Sequence, residues 1–171
     1  MDERFEDTGD GIYAFMEDTL VVCPQCSGRA VSRQVTTEER PGWFSPRRLG
    51  CTRCAYTKDW SNRAISRRWH EVRDDYFELP LWLQTPCCGE VLWAYNEAHL
   101  AYLEDFVRAR LRERQRDPKY GWSNQSVASR LPQWMKAGKN REVVLKGLGR
   151  LRSRLEAVQH GVEPDRVRPR K

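Results

Sequence analysis

The sequence predicts an α+β fold, and three observations predict it. Two Cys-x-x-Cys pairs, Cys23-Pro24-Gln25-Cys26 and Cys51-Thr52-Arg53-Cys54, lie among short runs suited to strands. Two apolar, aromatic runs at 79–85 and 91–95 are separated by Pro86-Cys87-Cys88-Gly89-Glu90, the pattern of a β-hairpin. Beyond Asn96 apolar residues recur at three and four, the period of amphipathic helices. An N-terminal antiparallel four-cysteine ribbon, a β-hairpin and about three C-terminal helices are expected in that order.

Residues 1–18 are polar and acidic apart from Ile12, Tyr13, Phe15 and Met16. A flexible arm is expected there, with its apolar cluster docking on the sheet. Residues 19–60 form the ribbon. Val21 and Val22 deliver Cys23, and Gly28 sits where a tight turn behind the second thiolate often needs positive φ. The second knuckle has Ala55 where glycine would be easier. Strands at 30–37 and 47–49 would flank a turn at Pro41-Gly42. Four soft thiolates turned toward one point are the ligand set of tetrahedral zinc, so Zn²⁺ is expected on Cys23, Cys26, Cys51 and Cys54. A redox pair normally occurs once, at the head of a helix, and neither pair here opens a helical period. The 24 residues between Cys26 and Cys51 cost little, because loop-closure entropy grows only logarithmically.

Residues 61–117 hold the hairpin and the first helix. Arg63, Arg67, Arg68 and Trp69 follow Trp60 closely, a pattern that can hold phosphates while a ring stacks on a base. Trp60, Ala64, Ile65 and Trp69 also share one face of a short helix, which points to core packing. In the hairpin, Trp82 and Trp93 are expected to pair across the turn. Cys87 and Cys88 are adjacent, and neighbouring side chains on a strand diverge, so packed thiols in a turn are the ordinary reading. A second metal site with His70 or His99 is the alternative. Asn96 is suited to cap a helix, with Tyr95 stapled to Leu100. Leu100, Leu103, Val107 and Leu111 make its apolar stripe, Arg108, Arg112 and Arg116 another face, and Asp117-Pro118 its end. His99 reads as a helix-surface or capping residue.

Residues 118–160 form a basic helical region. Its loop carries Tyr120 and Trp122, Ser126 caps a segment with Val127, Leu131, Trp134 and Met135 on one face, and Pro132 kinks or restarts it. Asn140 is expected to cap a last helix with a Val144, Leu148, Leu151, Leu155, Val158 seam. Residues 161–171 form a basic tail expected to be disordered.

The chain of 171 residues carries a net charge of +6, concentrated in the ribbon and the C-terminal third. Such a distribution suits contact with DNA or RNA, and Arg141, Lys146, Arg150 and Arg154 on the last helix are the candidate contacts. Two readings compete with it. Arg29, Arg53 or Lys58 can offset the formal negative charge of a four-thiolate zinc. The apolar seam and tryptophan-rich hairpin would instead suit a zinc-stabilised adaptor that binds another protein. No Gly-rich phosphate loop, metalloprotease helix or G-x-S-x-G elbow is present, and four thiolates would leave zinc no open position, so an enzyme is not expected. The H-x-E and P-C-x-x-C pair of zinc deaminases is also missing. No apolar run approaches the roughly 20 residues that span a bilayer, and the acidic N-terminus lacks a secretory pattern. A cytoplasmic location without membrane contact is expected, where six cysteines fit metal binding better than disulfides.

Some of these residues also occur in recognisable blocks: Cys23-Pro24-Gln25-Cys26-Ser27-Gly28, Cys51-Thr52-Arg53-Cys54, Leu81-Trp82-Leu83, Cys88-Gly89-Glu90-Val91-Leu92-Trp93-Ala94-Tyr95-Asn96, His99-Leu100, Leu111-Arg112-Glu113-Arg114, Leu131-Pro132-Gln133-Trp134-Met135 and Lys139-Asn140-Arg141. On these the chain resembles a group of uncharacterised bacterial zinc-ribbon proteins, described as containing a transcription-factor-IIB-type zinc ribbon. The resemblance spans roughly residues 21–155. It implies zinc on the four ribbon cysteines and a nucleic-acid setting, and carries no established activity. Ala55 departs from the usual glycine without touching a ligand.

Overall fold

A computed structural model describes residues 4–35, 44–61, 72–114 and 125–159. The expected Pro41-Gly42 turn, the stretch with Arg63, Arg67, Arg68, Trp69 and His70, the region with Arg116, Asp117-Pro118, Tyr120 and Trp122, and the tail at 161–171 lie outside the described residues.

Four strands build the ribbon: β2 (Asp18–Val22), β3 (Arg29–Gln34), β4 (Arg47–Cys51) and β5 (Thr57–Trp60). They pair in chain order, all antiparallel. Val21, Ala30, Leu49 and Trp60 are buried and pack with Tyr76 and Leu81. Arg47 is buried beside them. Its guanidinium donates to the Ser32 hydroxyl and to the carbonyls of Met16, Glu17 and Ser32, and lies 4.4 Å from the Tyr76 ring centre. A cation at that depth is tolerated because its Nε and one terminal nitrogen are hydrogen-bonded and an aromatic face covers it.

The second hairpin joins β6 (Leu83–Cys87) to β7 (Glu90–Ala94). Its turn is shorter than expected. Only Cys88 and Gly89 lie between the strands, at φ 54° and 81°, as a two-residue type I′ connection requires. Pro86 falls inside β6, which a two-stranded sheet tolerates because both strands are edges. Trp82 and Trp93 do not pair. The register sets Trp93 opposite Gln84, so Trp82 enters the cluster under the last helix and Trp93 packs on the ribbon side. The chain before β6 closes the free edge of β2 through Trp82 N–H to Leu20 O and Val22 N–H to Pro80 O, 2.9 and 2.8 Å.

Asn96 caps α1 (Glu97–Arg108), its Oδ1 accepting the His99 N–H at 2.9 Å. The same side chain donates to Phe15 O and Asp18 O at 2.6 and 2.7 Å, tying α1 to the start of the ribbon. The helix is shorter than its apolar period suggests. Ala109 turns extended and Leu111–Arg114 forms β8, parallel to β1 (Arg4–Asp7). Leu111 is exposed, and Arg108 and Arg112 do not continue one helical row. The partner strand comes from the stretch expected as a flexible arm. Phe5 is the reason it is held: its ring meets Tyr102 and Phe106 edge-on at 5.2 and 5.3 Å. Buried Asp7 accepts from the Ser126 hydroxyl at 2.7 Å.

Ser126 caps α2 (Val127–Arg130) and Pro132 restarts the chain as α3 (Gln133–Lys136). Asn140 is not the side-chain cap expected of it. It closes a short 3-10 turn and donates its amide to Trp134 O at 2.9 Å. α4 (Arg141–Gln159) then buries Val144, Leu148, Leu151 and Leu155 against β6, β7 and α1. Arg152 fastens α4 to α1 through Glu97 and Glu104, at 2.9 and 2.7 Å.

Gly147 sets how closely α4 approaches the hairpin. A Cβ there would stand 2.8 Å from Leu92 Cδ2 and 3.4 Å from Cys87 Sγ, whereas one at Gly149 would meet nothing. Gly147→Ala is expected to destabilise the fold by about 1 to 3 kcal/mol through overpacking. Gly149→Ala is expected to stabilise it by up to about 1 kcal/mol through helix propensity. Urea unfolding midpoints of the two variants measure the contrast.

Candidate metal centre

Both Cys-x-x-Cys turns stand at the same end of the sheet, because one joins β2 to β3 and the other β4 to β5. In the first, Cys23 N–H donates to Gly28 O and Ser27 N–H to Cys23 O, at 2.8 and 2.9 Å. The left-handed residue is Ser27, at φ 59°, and not Gly28. Gly28 is needed for space: a Cβ there would lie 3.2 Å from both Cys26 Sγ and Arg53 Cδ. In the second turn Cys51 N–H donates to Tyr56 O at 2.9 Å, and Ala55 takes φ 56°. Ala55 is thus the counterpart of Ser27, each following the second cysteine of its pair. Two side-chain-bearing residues in this region cost roughly 1 to 2 kcal/mol each.

The strain is matched by convergence. Cys23 Sγ lies 3.7 Å from Cys54 Sγ and Cys26 Sγ 3.6 Å from Cys51 Sγ. All four sulfurs fall within 4.8 Å of one another. A tetrahedron with metal–sulfur bonds of about 2.3 Å has edges of about 3.8 Å, whereas a disulfide would need about 2.05 Å. The four positions fit a zinc ion and do not fit two disulfides. Electrostatics agrees. The Tyr56 N–H favours the Cys54 thiolate, but desolvation and the three neighbouring thiols outweigh it and push Cys54 up to about 12. Burial raises Cys51, yet the N–H groups of Cys54 and Arg53 and the neighbouring thiols hold it at about 7. Four thiols this close ionise together only around a cation.

His99 is not part of this cluster. It is buried in α1, stacked on Phe15 and Tyr95 at 5.1 and 5.6 Å, with Nδ1 accepting the Tyr95 N–H at 3.2 Å. Its place is in the core, not on the helix surface. Cys87 and Cys88 lie at the tip of the second hairpin, their sulfurs 3.8 Å apart. Among the described residues only the four ribbon cysteines form a cluster of three or more metal-ligating side chains.

The four basic residues read as nucleic-acid contacts have different surroundings. Arg141 donates to Ala109 O at 3.2 Å. Arg150 reaches Thr85 Oγ1 and Pro86 O at 3.3 and 3.0 Å. Arg154 lies 4.5 Å over the Trp82 ring, where burial lowers its pKa. Lys146 is exposed. In the ribbon, Arg33 pairs with Asp18 and Arg48 with Asp59. A feature that sequence periodicity does not reveal is a cavity of about 770 Å³ between β7, α1 and the α2–α3 segment. Tyr13, Trp93, Tyr95, Trp134 and Met135 line it, together with charged Arg73, Asp75, Glu90 and Arg130. Its residues come from five separate stretches of chain. Among the described residues, no helix is long and apolar enough to cross a membrane.

Comparison of the chain with protein-family models, with curated proteins and with solved structures returns no match.

One tightly held zinc per chain is the expected stoichiometry, measured by elemental analysis of the purified protein. Cys23→Ser combined with Cys51→Ser should abolish it, and chelation should unfold the ribbon while much of the helicity of α1 and α4 persists. A separate expectation concerns acid. Burial lowers the His99 pKa to about 4 from its ordinary 6.5. The unfolded chain therefore binds a proton that the folded chain refuses, so this contribution is complete above about pH 6.5 and is lost as pH falls toward about 4. Wild type should lose about 2 to 3 kcal/mol more than His99→Asn between pH 7 and pH 4.5, read from urea unfolding at each pH.

Proposed function

We propose that this is a non-catalytic zinc-binding protein in which the metal is structural and the working surface recognises another protein. The closed set of four sulfurs carries the first half. With Cys23, Cys26, Cys51 and Cys54 all on one zinc, the ion keeps no position for a substrate or an activated water. What the metal supplies is cross-linking of two turns in a sheet too small to hold them by packing. This agrees with the zinc that the ribbon resemblance implies.

The second half rests on where cations and rings are used. Arg141, Arg150 and Arg154 hold α4 against its neighbours, and a guanidinium over the buried Trp82 ring is poorly placed to meet a phosphate. Leu148 and Leu151 are buried within the fold and offer no seam to a partner. The aromatic cavity does, with Trp93 and Trp134 only half-buried and Val91 and Tyr13 exposed at its wall. Aromatic side chains of this kind are enriched where proteins bind proteins. An apolar segment of a partner fits that lining.

Contact with DNA or RNA is the second reading, supported by the net charge of +6 and by exposed Arg53, Lys58 and Lys146. A binding titration at about 0.15 M salt separates the two, since only dense phosphate contacts survive a Debye length of about 8 Å. The protein-partner reading expects dissociation constants weaker than about 10⁻⁴ M for every nucleic acid tried. It also expects a photo-crosslinker at Val91 to capture a polypeptide in cells, with capture lost in Trp134→Arg at unchanged zinc content. Micromolar binding to nucleic acid that Lys58→Gln with Lys146→Gln weakens would put the second reading first.

A further inference from the structure

We propose that Cys87 and Cys88 form a second, exchangeable site, separate from the four-cysteine centre, for a soft thiophilic ion that takes two thiolates. The ribbon does not use these residues, and the spacing of their sulfurs is the starting observation. Sγ stands 3.8 Å from Sγ, against 3.6 and 3.7 Å between sulfurs of the four-cysteine cluster. Two bonds of about 2.3 Å at a near-tetrahedral angle span about 3.8 Å, so a centre of angular geometry such as pyramidal arsenic(III) can bridge the pair with little movement, whereas linear two-coordinate copper(I) requires the exposed Cys88 sulfur to swing outward. A direct disulfide is disfavoured. Adjacent Cα atoms are about 3.8 Å apart, short of the usual disulfide range of about 4.4 to 6.8 Å.

The backbone explains how adjacent cysteines come to face each other. On a regular strand they would point to opposite sides of the hairpin. Cys88 instead occupies the first turn position at φ 54°, where asparagine, aspartate or glycine is the usual choice, and this reversal brings its sulfur back beside Cys87. The two thiols then have unlike surroundings. Cys87 is buried under α4, with Sγ 3.7 Å from Val143 O and close to Gly147. Cys88 is exposed. One ligand is anchored and the other is open to solvent, which suits an ion that enters and leaves. Arg150, held on Pro86 O at 3.0 Å, brings a positive charge beside the two thiolates that binding would create. Burial foremost, with the Cys88 thiol beside it, pushes Cys87 up to about 11, so the thiol keeps its proton until an ion displaces it.

Copper(I) and a trivalent arsenical share this chemistry. With copper(I) delivered on a nitrogen chelator, two thiols lose their protons, two Cu–S bonds form and the Cu–N bonds to the chelator break, with no change of oxidation state. With phenylarsine oxide, hydrated to its dihydroxy form, each thiol displaces one hydroxide and its proton leaves with it. Two As–S bonds form, two As–O bonds break, and two waters are released.

The test uses the zinc-loaded full chain. Phenylarsine oxide should bind one equivalent, consume both free thiols and release no zinc to a chromogenic indicator. Copper(I) delivered from a bicinchoninate complex should transfer one equivalent if the site takes metal cations; arsenical binding without copper transfer would mark it as a metalloid site. Cys88→Gly suits the left-handed turn, so it should fold and hold zinc while losing at least tenfold in arsenical affinity. No uptake of either probe by wild type would overturn the proposal. Uptake matched by zinc release, or Cys88→Gly binding as wild type does, would overturn it equally.

Discussion

The convergence of four sulfur atoms at one end of the β2–β5 sheet is the constraint on which the rest of the structure depends. Each strand pair that meets there is short, and a small antiparallel sheet buries too little apolar surface to define its own turns. The sulfurs define them instead. Ser27 and Ala55 adopt backbone angles that favour glycine, and Gly28 yields its side-chain space to Cys26 and Arg53. These are local costs, and a metal held by the four clustered cysteines would offset them at the point where they arise.

From that end the order spreads through polar groups that bridge elements. Arg47 fastens Met16 and Glu17 to β4, and Asn96 fastens Phe15 and Asp18 to the head of α1. Between them they place the hairpin and α1 against the ribbon, while the backbone of 80–82 completes the edge of β2. Beyond α1, Asp7 and Ser126 join the first strand to α2. The molecule is therefore linked across sequence distances that apolar contacts alone would bridge less specifically.

The arginines follow the same logic. Arg152 spans two glutamates of α1, Arg150 supports the hairpin tip, and Arg154 lays its guanidinium over Trp82. Each shields apolar surface with its stem and finds a partner for its head. A row of basic residues at helical spacing looks the same in sequence whether its charges face solvent or close a helix against its neighbours. That ambiguity is why net charge is weak evidence for a polyanion here.

What the sequence by itself determined is what short-range chemistry determines. The Cys-x-x-Cys spacing names the four sulfurs, the caps at Asn96 and Ser126 follow from side chains that satisfy the first free N–H groups of a helix, and the Val144 to Leu155 seam follows from its period. What only the tertiary structure decided involves residues far apart in the chain. Nothing near Arg4–Asp7 announces a parallel partner at Leu111–Arg114, and the helical period through Leu111 is overridden because pairing with β1 replaces the hydrogen bonds of another helical turn. The register that separates Trp82 from Trp93 depends on a turn of two residues, and a shift of one residue moves every side chain to the other face. The burial of His99 and the meeting of Cys87 with Cys88 arise the same way, from backbone conformation and long-range packing that no local pattern encodes.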